Sequence, residues 1–246
     1  TNTVIAPAGT VDTTARLTPY QASSALIISP TKGYFAWNGL TFGTVSTVVL
    51  GTDIATFEGR VWIVSAASGH PSRTISFTAP DTFNDFNAAH GAGTTTISDS
   101  AFVGNIFRLL SALEQLWIVG SSAVEAISNV QTSGGITTFS TTNIVSNVGS
   151  VFPSSVSSFF RTFVMAAPYG VYAIVGATPQ KLSDKRDGLF PDLHLDELAT
   201  ATSSHHVVAA VTSVHGVFVW CLLVPYHDPI TSPVTHRNLL LCFAQG

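Results

Sequence analysis

Residues 59–65 read GRVWIVS, 115–128 read QLWIVGSSAVEAIS, 161–175 read RTFVMAAPYGVYAIV and 207–224 read VVAAVTSVHGVFVWCLLV. Each holds an apolar strand and, after a turn carrying Gly or Ser, a second one; for 59–65 the partner is 74–77. A fifth unit begins at Leu239 (LLLCFA), and an earlier pair lies at 34–37 and 45–50. On this alignment Trp62, Trp117, Phe163 and Val211 hold equivalent places, spaced by about 50 residues, the size of a propeller blade. Solenoids repeat at shorter periods and fit less well.

The strands VWIV, LWIV and VFVWCLLV are continuous apolar runs, not alternations, as expected of strands covered on both faces. Between them lie polar stretches such as 131–150, rich in Thr, Ser, Ile and Phe, which read as outer strands and loops. The fold class expected is therefore all-β: a β-propeller of repeated antiparallel blades. Residues 100–113 read either as one short helix or as a strand. There Phe102, Ile106, Leu109, Leu110 and Leu113 approach helical spacing, and Asp99 or Ser100 could cap the start. The domain expectation is one propeller-like domain over 1–246, incomplete at its C-terminal end, with 1–33 as an N-terminal arm or ring-closing strand.

Charged residues are 10% of the 246 residues, against roughly 25% in an ordinary globular domain. Mean hydropathy is +0.38. So few charges imply either a Ser/Thr-rich surface or faces buried against other subunits. Net charge is −4, and no Lys/Arg cluster marks a phosphate-gripping surface. Arg60, Arg73, Arg108 and Arg161 sit at or near strand starts, where they can pair with neighbours or backbone carbonyls. The start, TNTVIAPAGT, lacks the basic and apolar regions of a signal peptide, and Thr1 suits removal of an initiator Met. Residues 207–226 are long enough to span a bilayer. Their β-branched content, and the His215-Gly216 turn, make them two strands instead.

Candidate sites are few. Cys221 and Cys242 lie in apolar strands and read as buried reduced thiols, a single bridge between neighbouring strands being the alternative. His205-His206 would point to opposite faces of a strand, and His194, Asp196 and Glu197 form a solvated loop; neither is a metal ligand set. Ser121-Ser122 lies in a turn and no G-x-S-x-G is present, which argues against a serine hydrolase. Carboxylates gather at Asp81, Asp85 and Asp99, and at Asp184, Asp187 and Asp192, where Asp187-Gly188 is a turn pair. Two carboxylates would suffice for glycoside cleavage. No residue is assigned a catalytic, cofactor-binding or metal-binding role, no cofactor is expected, and the chain reads as a non-enzyme.

The segment 59–86 (GRVWIVSAASGHPSRTISFTAPDTFNDF) resembles a blade motif of phage tail proteins: a Gly-Arg-led strand, a Gly-x-Pro turn, a strand ending near Ser/Phe and an Asp-Phe corner. Residues 113–128 (LEQLWIVGSSAVEAIS) and 161–190 (RTFVMAAPYGVYAIVGATPQKLSDKRDGLF) continue the resemblance, which spans about 55–195. The family is the propeller-containing tail nozzle group of short-tailed bacteriophages, of the tail tubular protein B and packaged-DNA stabilisation types. Members are generally longer, so this chain resembles a compact relative or a piece, without a receptor-facing tip.

The resemblance implies a structural virion protein, assembled in the host cytoplasm. It would form a homo-oligomeric ring, a hexamer, below the portal and adaptor proteins. Double-stranded DNA would be retained and then conducted through it without tight binding. A host-receptor or carbohydrate-binding tail module, and a carbohydrate-cleaving tail enzyme, are the alternative readings.

Overall fold

The computed structural model describes residues 6–21, 24–69, 72–184, 190, 193, 195–199, 206–227 and 236–244, and of 196, 197, 226, 227 and 236–238 the backbone alone. Among these the chain forms five sheets of neighbouring strands, each taken in chain order. The first sheet holds β1 (Arg16–Tyr20), β2 (Ser24–Ser29), β3 (Gly33–Trp37) and β4 (Phe42–Ser46). The second holds β5 (Gly51–Phe57), β6 (Arg60–Ser65), β7 (Thr74–Phe77) and β8 (Gly93–Thr96). The third holds β9 (Ile106–Ala112), β10 (Gln115–Gly120), β11 (Val124–Ser133) and β12 (Ile136–Val145). The fourth holds β13 (Ser157–Phe159), β14 (Thr162–Ala167), β15 (Gly170–Val175) and β16 (Thr178–Lys181). The fifth holds β17 (Val208–Val214), β18 (Val217–His227) and β19 (His236–Ala244). This is an all-β, five-blade antiparallel β-propeller. Helix among the described residues amounts to α1 (Leu195–Leu198) and short 3-10 turns such as Ala88–His90 and Pro153–Ser155.

The backbone clusters into two compact units. One is Thr1–Val119 with Glu125–Asn143, and the other is Gly120–Val124 with Ile144–Gly246. In the first, Leu26, Ile28, Tyr34, Ile54, Val61 and Ile63 form one core cluster, against which Tyr20, Phe83 and Phe86 pack. In the second, Phe152, Val164, Val171, Trp220 and Leu222 belong to another. Serines bind its strands together: Trp220 Nε1 donates to Ser157 Oγ at 2.8 Å, and Ser150 Oγ to the Ala166 carbonyl at 2.5 Å.

A recurring hairpin explains why the sequence folds into blades. The first and second strands of the second, third and fifth blades are joined by two-residue turns: Glu58-Gly59, Leu113-Glu114 and His215-Gly216. All six residues have positive φ, between 48° and 81°. That is the type I′ turn, whose twist matches the twist of the strands it joins. Three residues after the turn in two of these blades stands a Trp. Trp62 Nε1 donates to the Phe57 carbonyl at 3.1 Å, and Trp117 Nε1 to the Ala112 carbonyl at 2.9 Å. Each indole thus fastens the second strand to the last residue of the first. Both rings are buried.

Several expectations hold. Residues 74–77 are β7, the partner of β6, and 207–226 form two strands about the His215-Gly216 turn. Residues 131–150 carry the end of β11 and the outer strand β12.

Others need correction. Residues 100–113 are a turn followed by β9, not a helix. Asp99 Oδ1 accepts from the Ala101 N–H and turns the chain, and Ile106 and Leu109 are both buried although a strand sends them to opposite faces. A strand covered on both sides mimicked helical spacing. Val211 is not equivalent to Trp62: it lies in the first strand of its blade, opposite Trp220 in the second. Leu239 does not open a new unit, since it lies on β19 of the fifth blade, opposite Val224. The pair expected at 34–37 and 45–50 is β3 and β4, but β4 runs Phe42–Ser46. Within 1–33, β1 and β2 are paired strands of the first sheet.

Replacing Trp117 by Ala removes a buried ring and the hairpin's indole hydrogen bond. It should lower unfolding free energy by about 3–5 kcal/mol, measured by urea titration; a loss below about 1 kcal/mol would mean that the ring does not hold the blade.

Candidate functional site

The first compact unit gathers buried charge. Arg60, at the start of β6, is 2% exposed. Its Nη1 donates to the carbonyls of Thr78 (2.6 Å) and Gly91 (2.9 Å). Its Nη2 donates to Thr132 Oγ1 and to Thr137 Oγ1, the latter at 3.0 Å, on strands β11 and β12. Phe139 of β12 packs edge-on against Trp62 and Phe77, and the guanidinium lies over the Phe77 ring. Burial pushes the guanidinium's pKa down and Asp81 opposes it. This arrangement clamps the second blade to the third.

Asp53 of β5 is fully buried. Its Oδ1 accepts from Arg108 Nη1 at 3.0 Å and its Oδ2 from the Leu109 N–H at 2.6 Å. Burial pushes this carboxyl up, against the pull of Arg108, the Leu109 amide and Arg16. First strands of the second and third blades therefore meet at one carboxylate. Arg73 Nη1 donates to the Phe102 carbonyl at 2.7 Å. Arg60, Arg73 and Arg108 thus do what the sequence reading expected of them.

Glu125, near the start of β11, is 2% exposed and its Oε1 has no hydrogen-bond partner. Burial pushes its pKa up to about 7, the Asp99 carboxylate adds to this, and Arg73 opposes it. Sequence reasoning passed over Glu125 and Asp53. The signal was a single acidic residue inside an apolar run, VEAI and DIATF.

Of the carboxylates proposed from sequence, Asp85 and Asp99 are held by hydrogen bonds. Asp85 accepts from the Asn87 N–H and pairs with His90 Nδ1 at 2.6 Å, which together hold it below the usual carboxylate range. Asp99 accepts from Asn143 Nδ2 (2.6 Å) and from the Ala101 amide, with the same effect. The Asp81 N–H donates to the Gly59 carbonyl at 2.8 Å. Asp184 is exposed, while Asp187, Asp192, His194 and His205, and the side chains of Asp196 and Glu197, lie outside the described residues. His206 is exposed, and Ser121-Ser122 sits in the turn between β10 and β11, as expected. Cys221 and Cys242 are free thiols directly opposite each other on β18 and β19, Sγ to Sγ 3.0 Å. Cys221 is buried and its thiol pushed up to about 11 by that burial and by the Cys242 hydrogen bond, but Cys242 is exposed, contrary to expectation.

Two depressions open where the first two blades present their turns. One, of about 550 Å³, is lined by residues including Tyr20, Gln21, Leu26, Ala36, Asn38, Phe83 and Asn84. The other, of about 430 Å³, shares Tyr20 and Gln21 and adds Glu58, Arg60 and Asp81. Among the described residues no group of three or more His, Cys, Asp or Glu is placed to hold a metal ion, and no helix is long and apolar enough to cross a membrane.

No protein-family model and no curated protein matches the chain. Solved structures do. YCF48 from Cyanidioschyzon merolae is similar with a TM-score of 0.46 and 11% identity over 91% of this chain and 67% of that one. The N-terminal domain of Nup159 is similar with a TM-score of 0.43 and 10% identity over 90% of this chain and 59% of that one. The five-blade fold is read from the sheets themselves.

The buried Glu125 gives a pH prediction. Its folded pKa lies above the ordinary 4.5. The fold therefore favours the neutral acid, and this contribution is complete below pH ~4.5 and lost as pH rises through ~7. Glu125→Gln should unfold like the wild type at pH 4.5. At pH 8 it should be more stable by up to roughly 3 kcal/mol. Thermal melts at both pH values check this, and an equal effect at the two would refute the ionisation account.

Proposed function

We propose that this chain is a structural component of a bacteriophage tail, a subunit of a nozzle ring below the portal or adaptor that retains DNA and conducts it during ejection. The observation that carries the reading is where the three resembling segments fall. Residues 59–86 hold β6 and β7, 113–128 hold β10 and the first half of β11, and 161–190 hold β14, β15 and β16. Each segment takes in the second strand and at least half of the third strand of one of three successive blades, so the resemblance follows the structural repeat.

Two further features support it. DNA passes most easily along a wall that attracts phosphate little, since each Lys or Arg held against a phosphate adds attraction. The chain has 10 Lys+Arg against 14 Asp+Glu, and Arg60, Arg73 and Arg108 are committed to protein partners. Assembly needs faces of low charge. The hairpin of β17 and β18 exposes Val211, Val214, Val217 and Phe218 with no charge among 208–214.

The purified chain should self-associate, with a mass by light scattering six times its own 25.9 kDa, or join an adaptor ring. Its affinity for duplex DNA should fall in the non-specific range of about 10⁻⁴–10⁻⁶ M at physiological salt. Nanomolar affinity with a steep salt dependence, or a monomer that joins no ring, would overturn the reading.

A further inference from the structure

The larger depression has a composition that the ring reading does not use. Its floor is the apolar face of the first blade at Leu26 and Ala36. Its wall carries the rings of Tyr20 and Phe83, whose centroids lie 5.4 Å apart at a 59° tilt. Carboxamides stand among its lining residues: Gln21, Asn38 and Asn84. Asn38 spends its oxygen on the N–H groups of Leu40 and Thr41, at 3.0 and 2.8 Å, so its Nδ2 is the group left to donate outward. None of the lining residues is Asp, Glu, Lys, Arg or His.

The site is held in shape before any ligand arrives. Phe83 sits on the loop after β7, and the hydroxyl of the buried Tyr34 donates to its carbonyl at 2.9 Å. Phe86 of the same loop packs edge-on against the Tyr34 ring. Gln21 is held at a φ of 49°. A non-Gly residue in the left-handed region costs energy and persists where the surroundings dictate it. A pre-formed hollow with an apolar floor and a few polar groups is the usual form of a small-molecule site, and its volume lies within the ordinary range of about 300–1,000 Å³.

We infer that the hollow beside Tyr20 and Phe83 is a binding site for a neutral saccharide. A sugar ring offers an apolar C–H face and a fringe of hydroxyls that both donate and accept. Aromatic and aliphatic side chains cover the first, and carboxamides serve the second in either direction. A charged ligand would enter a hollow with no countercharge, at the cost of its hydration. Without a carboxylate pair in the lining, the site binds and does not cleave. The second depression continues past Tyr20 and Gln21 toward Glu58 and Asp81, so a longer glycan runs from the neutral hollow toward polar ground.

The test uses the full chain in whatever assembly it forms. Glucose, galactose, mannose, N-acetylglucosamine, maltose and lactose are titrated by saturation-transfer NMR and calorimetry, beside glucuronic and sialic acids. At least one neutral sugar should bind with a Kd of about 1 mM or tighter, and the acids at least tenfold more weakly. Phe83→Ala should lower that affinity about tenfold, and so should Tyr34→Phe, which frees the loop while keeping the ring. Asn84→Ala, an exposed substitution that cannot disturb the core, should weaken it by a smaller factor. Failure of every neutral sugar, equal or tighter binding of the acids, or an affinity unmoved by both Phe83→Ala and Asn84→Ala would overturn the inference. The ring reading stands or falls separately, on mass and DNA affinity.

Discussion

The guanidinium of Arg60 is the tie on which the first compact unit depends. Blades are hydrogen-bonded within themselves, and burial of apolar side chains between them is non-directional. It does not by itself fix how one blade meets the next. Arg60 adds direction. Its donors reach two carbonyls of its own blade region and two threonine hydroxyls of the next blade's outer hairpin. Phe139 then seats on Trp62 and Phe77 in one orientation. A lysine there would present a point charge with three donors, too few for the four acceptors that the guanidinium reaches.

A chain with so few charges might be expected to keep them all in water. This one buries several. Asp53, Arg60 and Glu125 are almost wholly covered, and Arg108 is largely so. Where such a group is satisfied it sets register: Asp53 holds the side chain of Arg108 and the backbone of Leu109 at once. Where it is not, as at Glu125 Oε1, burial pushes the carboxyl's pKa up to about 7. Ser and Thr do the remaining polar work, and the Ser150, Ser155 and Ser157 hydroxyls bind the second unit's strands as the arginines bind the first's.

The blade pattern was readable because strands covered on both faces are continuous apolar runs, and because the turn before each second strand is short. Second and third strands of the second, third and fourth blades fall where the apolar runs place them. First strands do not. β5 contains Asp53 and two threonines, which hides its burial, and β9 contains buried residues at a spacing that suits a helix. The fifth blade slipped by a strand because Val211 and Trp220 face each other across the hairpin and both fit the repeat. The hollow at Tyr20 and Phe83 could not be read at all. Its residues lie in two segments, 20–45 and 83–84, brought together by the Tyr34 hydroxyl and by the contact of the Tyr20 and Phe83 rings.

The Trp staples also bear on the order in which the molecule is put together. Each closes a loop of five residues, Trp62 to Phe57 and Trp117 to Ala112, whereas the clamp of Arg60 on Thr132 joins groups 72 residues apart. Chain entropy makes the longer closure dearer by roughly 2 kcal/mol, since the cost rises with the logarithm of length. Hairpins of this kind form in about 1–10 μs. The staples thus belong to the early, local stage of folding, and the clamp to a later one that needs both hairpins already standing. Synthesis from the ribosome imposes the same order, because Thr132 and Thr137 leave it only after the second blade is complete.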